Sequence, residues 1–136
     1  MPNRIFVDTS FIIALINDND QYHDQAQALS HKFDNSLLIT TDAVLLEIGN
    51  ALAKYFRNEA IEVIQTLRSS KNIEVIEIDA RLFEQGLDIY KKYEDKDWGL
   101  VDCISFVEMW ERGISEVLTF DSDFKQAGFT ILKGQP

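Results

Sequence analysis

A short apolar strand that ends in an acid is encoded by the stretch Ile5-Phe6-Val7-Asp8-Thr9-Ser10. The same arrangement returns near the other end of the chain in Val117-Leu118-Thr119-Phe120-Asp121-Ser122-Asp123. In both stretches the chain turns, after the acid, into a segment of helical pattern. Open parallel sheets bind ligands at their carboxyl edge, in the crevice where strand order reverses. The two stretches therefore predict a parallel sheet with Asp8 and Asp121 at its functional edge.

Between these two stretches, apolar runs of strand length alternate with segments of helical length and period. The predicted strands are Ile5–Val7, Leu37–Ile39, Ile73–Ile78, Val117–Phe120 and Phe129–Leu132. The predicted helices are Ser10–Ile16, Tyr22–Phe33, Ala43–Phe56, Glu59–Ser69, Arg81–Tyr93 and Val101–Arg112, with a short one after Asp121. This alternation predicts an α/β fold with a central parallel sheet of about five strands flanked by helices. No linker divides the chain, so we expect a single domain over residues 1–136.

The composition sets limits on partners and compartment. A net charge of −10 argues against binding nucleic acid, although Lys54, Arg57, Arg68 and Lys71 lie in one stretch that can follow a phosphate backbone. The acidic remainder of the surface suits a basic partner. A single Cys103 cannot form an internal disulfide, and we find neither a signal peptide nor an apolar run long enough to span a bilayer. These features predict a cytoplasmic protein without a membrane segment.

Four acids stand where an apolar run meets a turn or beside an apolar helix face, namely Asp8, Glu47, Asp102 and Asp121. Such oxygen ligands suit Mg²⁺ or Mn²⁺, which bind phosphates, better than they suit zinc or copper. Phosphodiester chemistry is therefore the first reaction class to consider. Other chemistries lack their residues, because the two histidines have no nucleophile partner and the glycines form no phosphate-binding loop.

Each of these acids also has a simpler interpretation. Asp102 can cap the helix that begins near Val101, but a helical wheel places it on the stripe of Phe106 and Met109, with Glu108 and Glu111 directed away. Such a position favours a ligand, because an ionised carboxylate on an apolar face is costly.

Glu47 lies at the edge of an apolar arc, where a solvated residue is the ordinary case. Asp8 and Asp121 can be helix caps, as we expect Asp79 to be.

The polar residues near these acids are ranked by position. Asp97 and Asp123 each have three alternative interpretations, namely a metal ligand through water, a neighbour of the ligands or a helix cap. Among the hydroxyl residues near the proposed cation, we rank Ser10 first as a supporting group, above Thr9 and Thr119, because hydroxyls at turns are common caps.

The same segments together resemble the PIN-domain ribonucleases, and within them the VapC-type toxins of toxin–antitoxin pairs. The resemblance rests on Val7-Asp8-Thr9-Ser10, Glu47, the stretch Asp97–Phe106 and the stretch Leu118–Phe124. It implies a Mg²⁺- or Mn²⁺-dependent endoribonuclease, commonly a homodimer that is restrained by a small antitoxin protein. Carried over by position, its catalytic and metal-binding acids are Asp8, Glu47, Asp102 and Asp121, with Asp123 and Ser10 as supporting residues.

Two other hypotheses remain open at this stage. One is a metal-dependent phosphatase or phosphotransferase with Asp8 as a covalent nucleophile, which predicts a phosphoenzyme. The other is a non-catalytic protein-binding module whose acids are caps, which predicts no specific divalent site. Metal titration and a search for covalent phosphate separate these from a nuclease, for which RNA is the substrate.

Overall fold

The structure, a computed structural model, describes residues 4–134. Within that range one sheet has five parallel strands, in the order β3-β2-β1-β4-β5. The strands are Arg4–Val7 (β1), Leu37–Thr41 (β2), Ile73–Ile76 (β3), Glu116–Leu118 (β4) and Thr130–Ile131 (β5). The helices of the described range are Thr9–Ile16 (α1), His23–Lys32 (α2), Asp42–Ala51 (α3), Arg57–Ser69 (α4), Ala80–Lys92 (α5), Leu100–Arg112 (α6) and Asp123–Gln126 (α7). The predicted parallel α/β sheet is confirmed.

The order of the strands creates the crevice in which the acids meet. From β1 the chain moves outward through β2 to β3, and it then returns to the other side of β1 for β4 and β5. Because crossovers between parallel strands are right-handed, this reversal puts the earlier and later helices on opposite faces of the sheet. The helix contacts agree, since α1 packs with α2 and α3, whereas α6 packs with α5 and α7. The switch in strand order therefore lies between β1 and β4, at the carboxyl ends of both strands.

Aromatic rings fill the core on the α6 side of the sheet. Phe106 is fully buried and meets Phe124 edge-on, with ring centroids 4.9 Å apart, and Trp98 also edge-on at 5.0 Å. The indole N–H of Trp98 donates to Gln126 Oε1 at 3.1 Å. This packing fixes the charged loop before α6 to the short helix α7, so the acids of these two elements are held at a set separation.

Helices α5 and α6 pack at unusually close range at Gly86. A Cβ atom at Gly86 would lie 2.4 Å from Ile104 Cγ1 and 3.2 Å from Ile104 Cα. Only a residue without a side chain allows this approach. Gly86 therefore sets the distance between α5 and the helix that carries Asp102.

Two of the expectations from the sequence are wrong in detail. Glu108 does not point away from the core, because it is 5% exposed and its carboxylate accepts a hydrogen bond from Arg112 Nε. Helix α3 ends at Ala51, not Phe56. Between residues 4 and 134, none of the helices is long and apolar enough to cross a membrane.

Candidate active site

Asp8 stands at the turn between β1 and α1, where it is buried and its side chain caps the helix. One carboxylate oxygen, Oδ2, accepts hydrogen bonds from the hydroxyl of Thr119 at 2.6 Å and from the hydroxyl of Ser10 at 2.9 Å. The same oxygen lies 3.4 Å from the backbone nitrogen of Ser10, which donates to it. The other oxygen, Oδ1, takes part in none of these bonds. Asp8 is thus both a helix cap and an oriented carboxylate.

Thr119 connects Asp8 to the second acidic segment. Its hydroxyl oxygen accepts a hydrogen bond from the backbone N–H of Asp121 at 3.0 Å while its proton goes to Asp8. Ser10 makes a parallel link, because its hydroxyl oxygen accepts from the backbone N–H of Phe120 at 2.9 Å. The turns after β1 and β4 are therefore held together by two hydroxyls. Ser10, ranked first from the sequence, lies here as expected, whereas Thr119 was ranked too low.

Glu47 is brought to the same edge by α3. This helix begins directly after β2, with the Thr41 hydroxyl accepting from Val44 N–H at 3.4 Å as its cap. The Thr9 hydroxyl donates to Glu47 Oε1 at 2.6 Å. Thr9 follows Asp8 in the chain, so this contact ties α3 to the turn that carries Asp8. Thr9 is the second hydroxyl residue that the sequence ranking placed too low.

Asp102 lies in the first turn of α6 but does not cap it. The N-cap is Gly99, and no side-chain hydrogen bond caps the start of this helix. The cap interpretation of Asp102 therefore fails. Asp79 does act as the expected cap of α5, accepting from Leu82 N–H at 2.8 Å.

Three carboxylates converge at the mouth of the crevice. Asp102, Asp121 and Asp123 each place an oxygen within 4.8 Å of the oxygens of the other two. Asp123 is drawn in because its backbone N–H donates to Asp121 Oδ1 at 2.9 Å. Asp123, which was ambiguous in the sequence, thus lies inside the cluster.

Burial and like-charge repulsion both disfavour the ionised carboxylates of the site. Burial raises the pKa of Asp102 to about 8, and the charges of Asp8, Asp121, Glu47 and Asp123 add to this rise. Burial raises the pKa of Asp8 against the opposing hydrogen bonds of Thr119 and Ser10. The pKa of Asp123 is also raised, first by burial and then by the charge of Asp121, with a contribution from Asp97.

A cluster of this kind suits a hard divalent cation. Each donor in the cluster is a carboxylate oxygen, and a cation would offset the like-charge repulsion that adds to the effect of burial on these pKa values. The neighbouring thiol is a poor nucleophile, because Cys103 is buried and its pKa is raised to about 11 by burial.

Comparison with known proteins gives matches along almost the whole chain. Residues 5–130 match the PIN domain family. The sequence is 33% identical over 129 residues to the 23S rRNA-specific endonuclease VapC20 of Mycobacterium tuberculosis, in two strains, covering 95% of this chain and 98% of that protein. The crystal structure of Mycobacterium tuberculosis VapC20, described as a Sarcin-Ricin loop cleaving toxin, matches with a TM-score of 0.85 and 31% identity over 95% of this chain and 98% of that one.

Two more distant structures share the fold. DNA-bound VapBC from Salmonella typhimurium has a TM-score of 0.68 at 16% identity, covering 97% of this chain and 98% of that chain. FitAcB from Neisseria gonorrhoeae has a TM-score of 0.61 at 15% identity, covering 95% and 96%. At these identities the likeness concerns the fold alone.

Proposed function

This chain belongs to the PIN domain family, and we propose that it is a divalent-metal-dependent endoribonuclease that acts as the toxin of a toxin–antitoxin pair. Nucleases of this family generally depend on a divalent metal ion. The observation that carries the proposal is the convergence of Asp102, Asp121 and Asp123 in the crevice where Asp8 is held by Thr119. The full-length similarity to an rRNA endonuclease adds the reaction class.

The residues present fit Mg²⁺ or Mn²⁺. Asp8, Glu47, Asp102 and Asp121 are the proposed metal-binding and catalytic acids, with Asp123 at the rim of the same cluster and Ser10 in support. Carboxylate oxygens are the ligands that these hard ions prefer, and such ions keep waters and bind phosphates. When bound, the ion activates a water molecule and stabilises negative charge on the phosphate.

The contribution of the chain itself is to hold its carboxylates in place. Thr119 and Ser10 occupy Oδ2 of Asp8, which leaves Oδ1 to face a ligand. Thr9 orients Glu47 in the same way through one hydroxyl. Groups that hold ligands in position in this way typically change metal affinity or activity by about 10- to 100-fold when removed.

The substrate we propose is a structured RNA with an unpaired loop. The relative VapC20 is named for cleavage of 23S rRNA and of the Sarcin-Ricin loop. The charge of −10 is unfavourable for a polyanion, but several of the acids lie in the cluster that a cation would neutralise.

We propose that the protein forms a homodimer, binds a small antitoxin protein and acts in the cytoplasm. VapBC from Salmonella typhimurium, which shares the fold, is by its name a complex of a toxin with its antitoxin. An acidic surface favours docking of a basic antitoxin segment. The apolar run Phe11–Ile16 adds no support for a docking surface, since Phe11, Ile12 and Ala14 are buried in the core.

The covalent alternative has little support. Asp8 is 4% exposed and its Oδ2 receives three donors, so only one oxygen is free to attack a phosphate. A phosphoenzyme trapped on Asp8 would nevertheless favour it over hydrolysis by water.

The test incubates purified protein with a mixed RNA pool containing rRNA stem-loops, with Mn²⁺, Mg²⁺ or chelator, and maps the ends produced. We expect defined internal cuts that need the ion and that disappear in folded Asp8→Asn and Asp121→Asn variants. Asp79→Asn is the matched control, because it changes an acid of a helix cap outside the cluster. Addition of the protein encoded beside this chain should suppress the cuts. Full activity after exhaustive metal removal, or in Asp8→Asn, would contradict the proposal.

A further inference from the structure

A groove lies next to the acid cluster, between α2 and the segment that includes β5. Its volume is about 840 Å³, which is in the range of pockets that hold small organic ligands. Its lining includes Tyr22, Leu29, Phe120, Ile131 and Lys133. None of these side chains belongs to the proposed metal-binding set.

The groove is continuous with the proposed active site. Thr119, which lines it, donates the 2.6 Å hydrogen bond to Asp8, and Ser122, which also lines it, follows Asp121 directly. A molecule in the groove is therefore adjacent to a phosphate held at the acids. On a polynucleotide, the group that enters the groove would belong to a nucleotide next to the phosphate being cut.

Two aromatic rings give the groove a rigid apolar surface. The rings of Tyr22 and Phe120 are parallel within 3°, with centroids 4.6 Å apart, and Phe120 stacks in turn on Phe11 at 6.2 Å. The backbone on both sides is fixed, since Tyr22 N–H donates to Asp20 at 2.8 Å and Phe120 N–H donates to the Ser10 hydroxyl. Single-stranded RNA is commonly recognised by stacking unpaired bases on such rings.

The polar residues of the groove match the edge and the backbone of a nucleotide. Asp24 and Gln25, in the first turn of α2, are exposed at the groove wall. A carboxylate there accepts from the exocyclic amine of a base, and an amide reads donor and acceptor atoms together. Lys133 adds a positive charge that favours a phosphate. Asp24 would repel a phosphate deep in the groove, so the base and not the backbone is the group that fits there.

We propose that this groove binds one unstacked, amine-bearing base of the RNA substrate, packed against the Tyr22–Phe120 pair beside the scissile phosphate. The proposal rests on the proposed nuclease function. It makes Tyr22 a substrate-binding residue that contacts a base without taking part in the chemistry.

The experiment combines removal of the base with removal of the ring. A labelled stem-loop RNA is prepared in a series in which each loop nucleotide in turn is abasic. Affinity is measured by fluorescence anisotropy in chelator, and kcat/KM is measured separately with Mn²⁺. The proteins are wild type, Tyr22→Leu and Tyr22→Phe, with Phe83→Leu as the control for loss of an exposed ring on α5.

With the wild-type protein, removal of the base at one loop position should weaken binding and lower kcat/KM by about tenfold, as expected for one stacked base. Tyr22→Leu should lose a similar factor on intact RNA and nothing further on that abasic RNA. Tyr22→Phe, which keeps a ring, should recover most of the factor that Tyr22→Leu loses, and Phe83→Leu should behave as wild type.

Several results would overturn the proposal. A purely structural role of Tyr22 gives the same loss on intact and abasic RNA at every position. Unchanged RNA affinity in Tyr22→Leu together with weaker binding of the antitoxin would assign the groove to a protein segment. Failure of wild type to cleave any RNA would contradict the proposed function, whereas the anisotropy comparison would still decide the groove.

Discussion

Replacing Asp102 by Asn should stabilise the cation-free protein, and the gain should grow with pH. Asp102 is ionised at a cost, because burial and four neighbouring acids raise its pKa from 3.8 to about 8. One step in pKa equals about 1.4 kcal/mol, so full ionisation costs the folded state on the order of 5 kcal/mol relative to the unfolded chain. Solvent and salt screen part of this repulsion. We therefore expect Asn to raise the free energy of unfolding by about 2 to 5 kcal/mol above the folded-state pKa.

The direction with pH follows from the raised pKa. Below 3.8 Asp102 is protonated in both the folded and the unfolded chain, so it contributes no repulsion. Between 3.8 and about 8 only the folded chain keeps the proton, and each step of pH lowers the stability of wild type. The gain from Asn is therefore small near pH 5 and largest near pH 9, where it corresponds to roughly 6 to 20 °C in Tm for a domain of this size.

The assay is a set of thermal melts of wild type, Asp102→Asn and the cap control Asp79→Asn, in chelator and in Mn²⁺, over this pH range. A ligand that binds only the folded state stabilises it in proportion to its affinity. Wild type should therefore gain more from Mn²⁺ than Asp102→Asn does, and Asp79→Asn should follow wild type throughout. An Mn²⁺ shift in Asp102→Asn equal to that of wild type would refute the ligand role. A difference in chelator that is independent of pH would refute the electrostatic reasoning.

Two further predictions concern packing and positioning. Gly86→Ala should lower the free energy of unfolding, measured by denaturant titration, by about 1 to 2 kcal/mol, because overpacking against Ile104 outweighs the better helix propensity of Ala. The control Gly49→Ala should raise the free energy of unfolding by about 0.5 to 1 kcal/mol, because the nearest atom to the added Cβ is 3.8 Å away. Thr119→Val should slow RNA cleavage by about 10- to 100-fold in a protein that stays folded, because Asp8 and the N–H of Asp121 lose their shared hydroxyl. Thr119→Ser, which keeps the hydroxyl, should restore most of the rate. Equal rates for the Val and Ser variants would show that the hydroxyl has no role in cleavage.

The strands and helices were accessible from the sequence because apolar periodicity marks them directly. The ends of the strands and helices were harder to predict. The predicted third strand reached Ile78, but β3 stops at Ile76, since Ile78 N–H donates to the side chain of Asp42 and leaves the sheet. The predicted fourth strand reached Phe120, but β4 stops at Leu118. The N–H groups of Phe120 and Asp121 bond instead to the hydroxyls of Ser10 and Thr119.

Local signals in the sequence marked the acids and Ser10, but they did not mark the roles of Thr9 and Thr119. Asp8 and Asp121 follow apolar strands, which is a local signal, and the geometry brings both to one crevice. The bond between Thr119 and Asp8 spans 111 residues, and a hydroxyl at a turn looks like a cap until the fold is known. Glu108 was misplaced for a similar reason, because its partner Arg112 is itself placed by Glu74 on a distant strand.

The separation of Asp8 and Thr119 along the chain also has a consequence for synthesis. Strand β4, which carries Thr119 and Asp121 to the crevice, lies directly beside β1 in the centre of the sheet. A ribosome adds about 5 to 20 residues per second, so the second half of the crevice is made roughly 5 to 20 s after the first. During that interval the emerging polypeptide has Asp8 without the hydroxyl of Thr119 and β1 without one neighbour. Products that stop before β4 therefore lack Thr119 and Asp121, and we expect them to be unable to form the crevice.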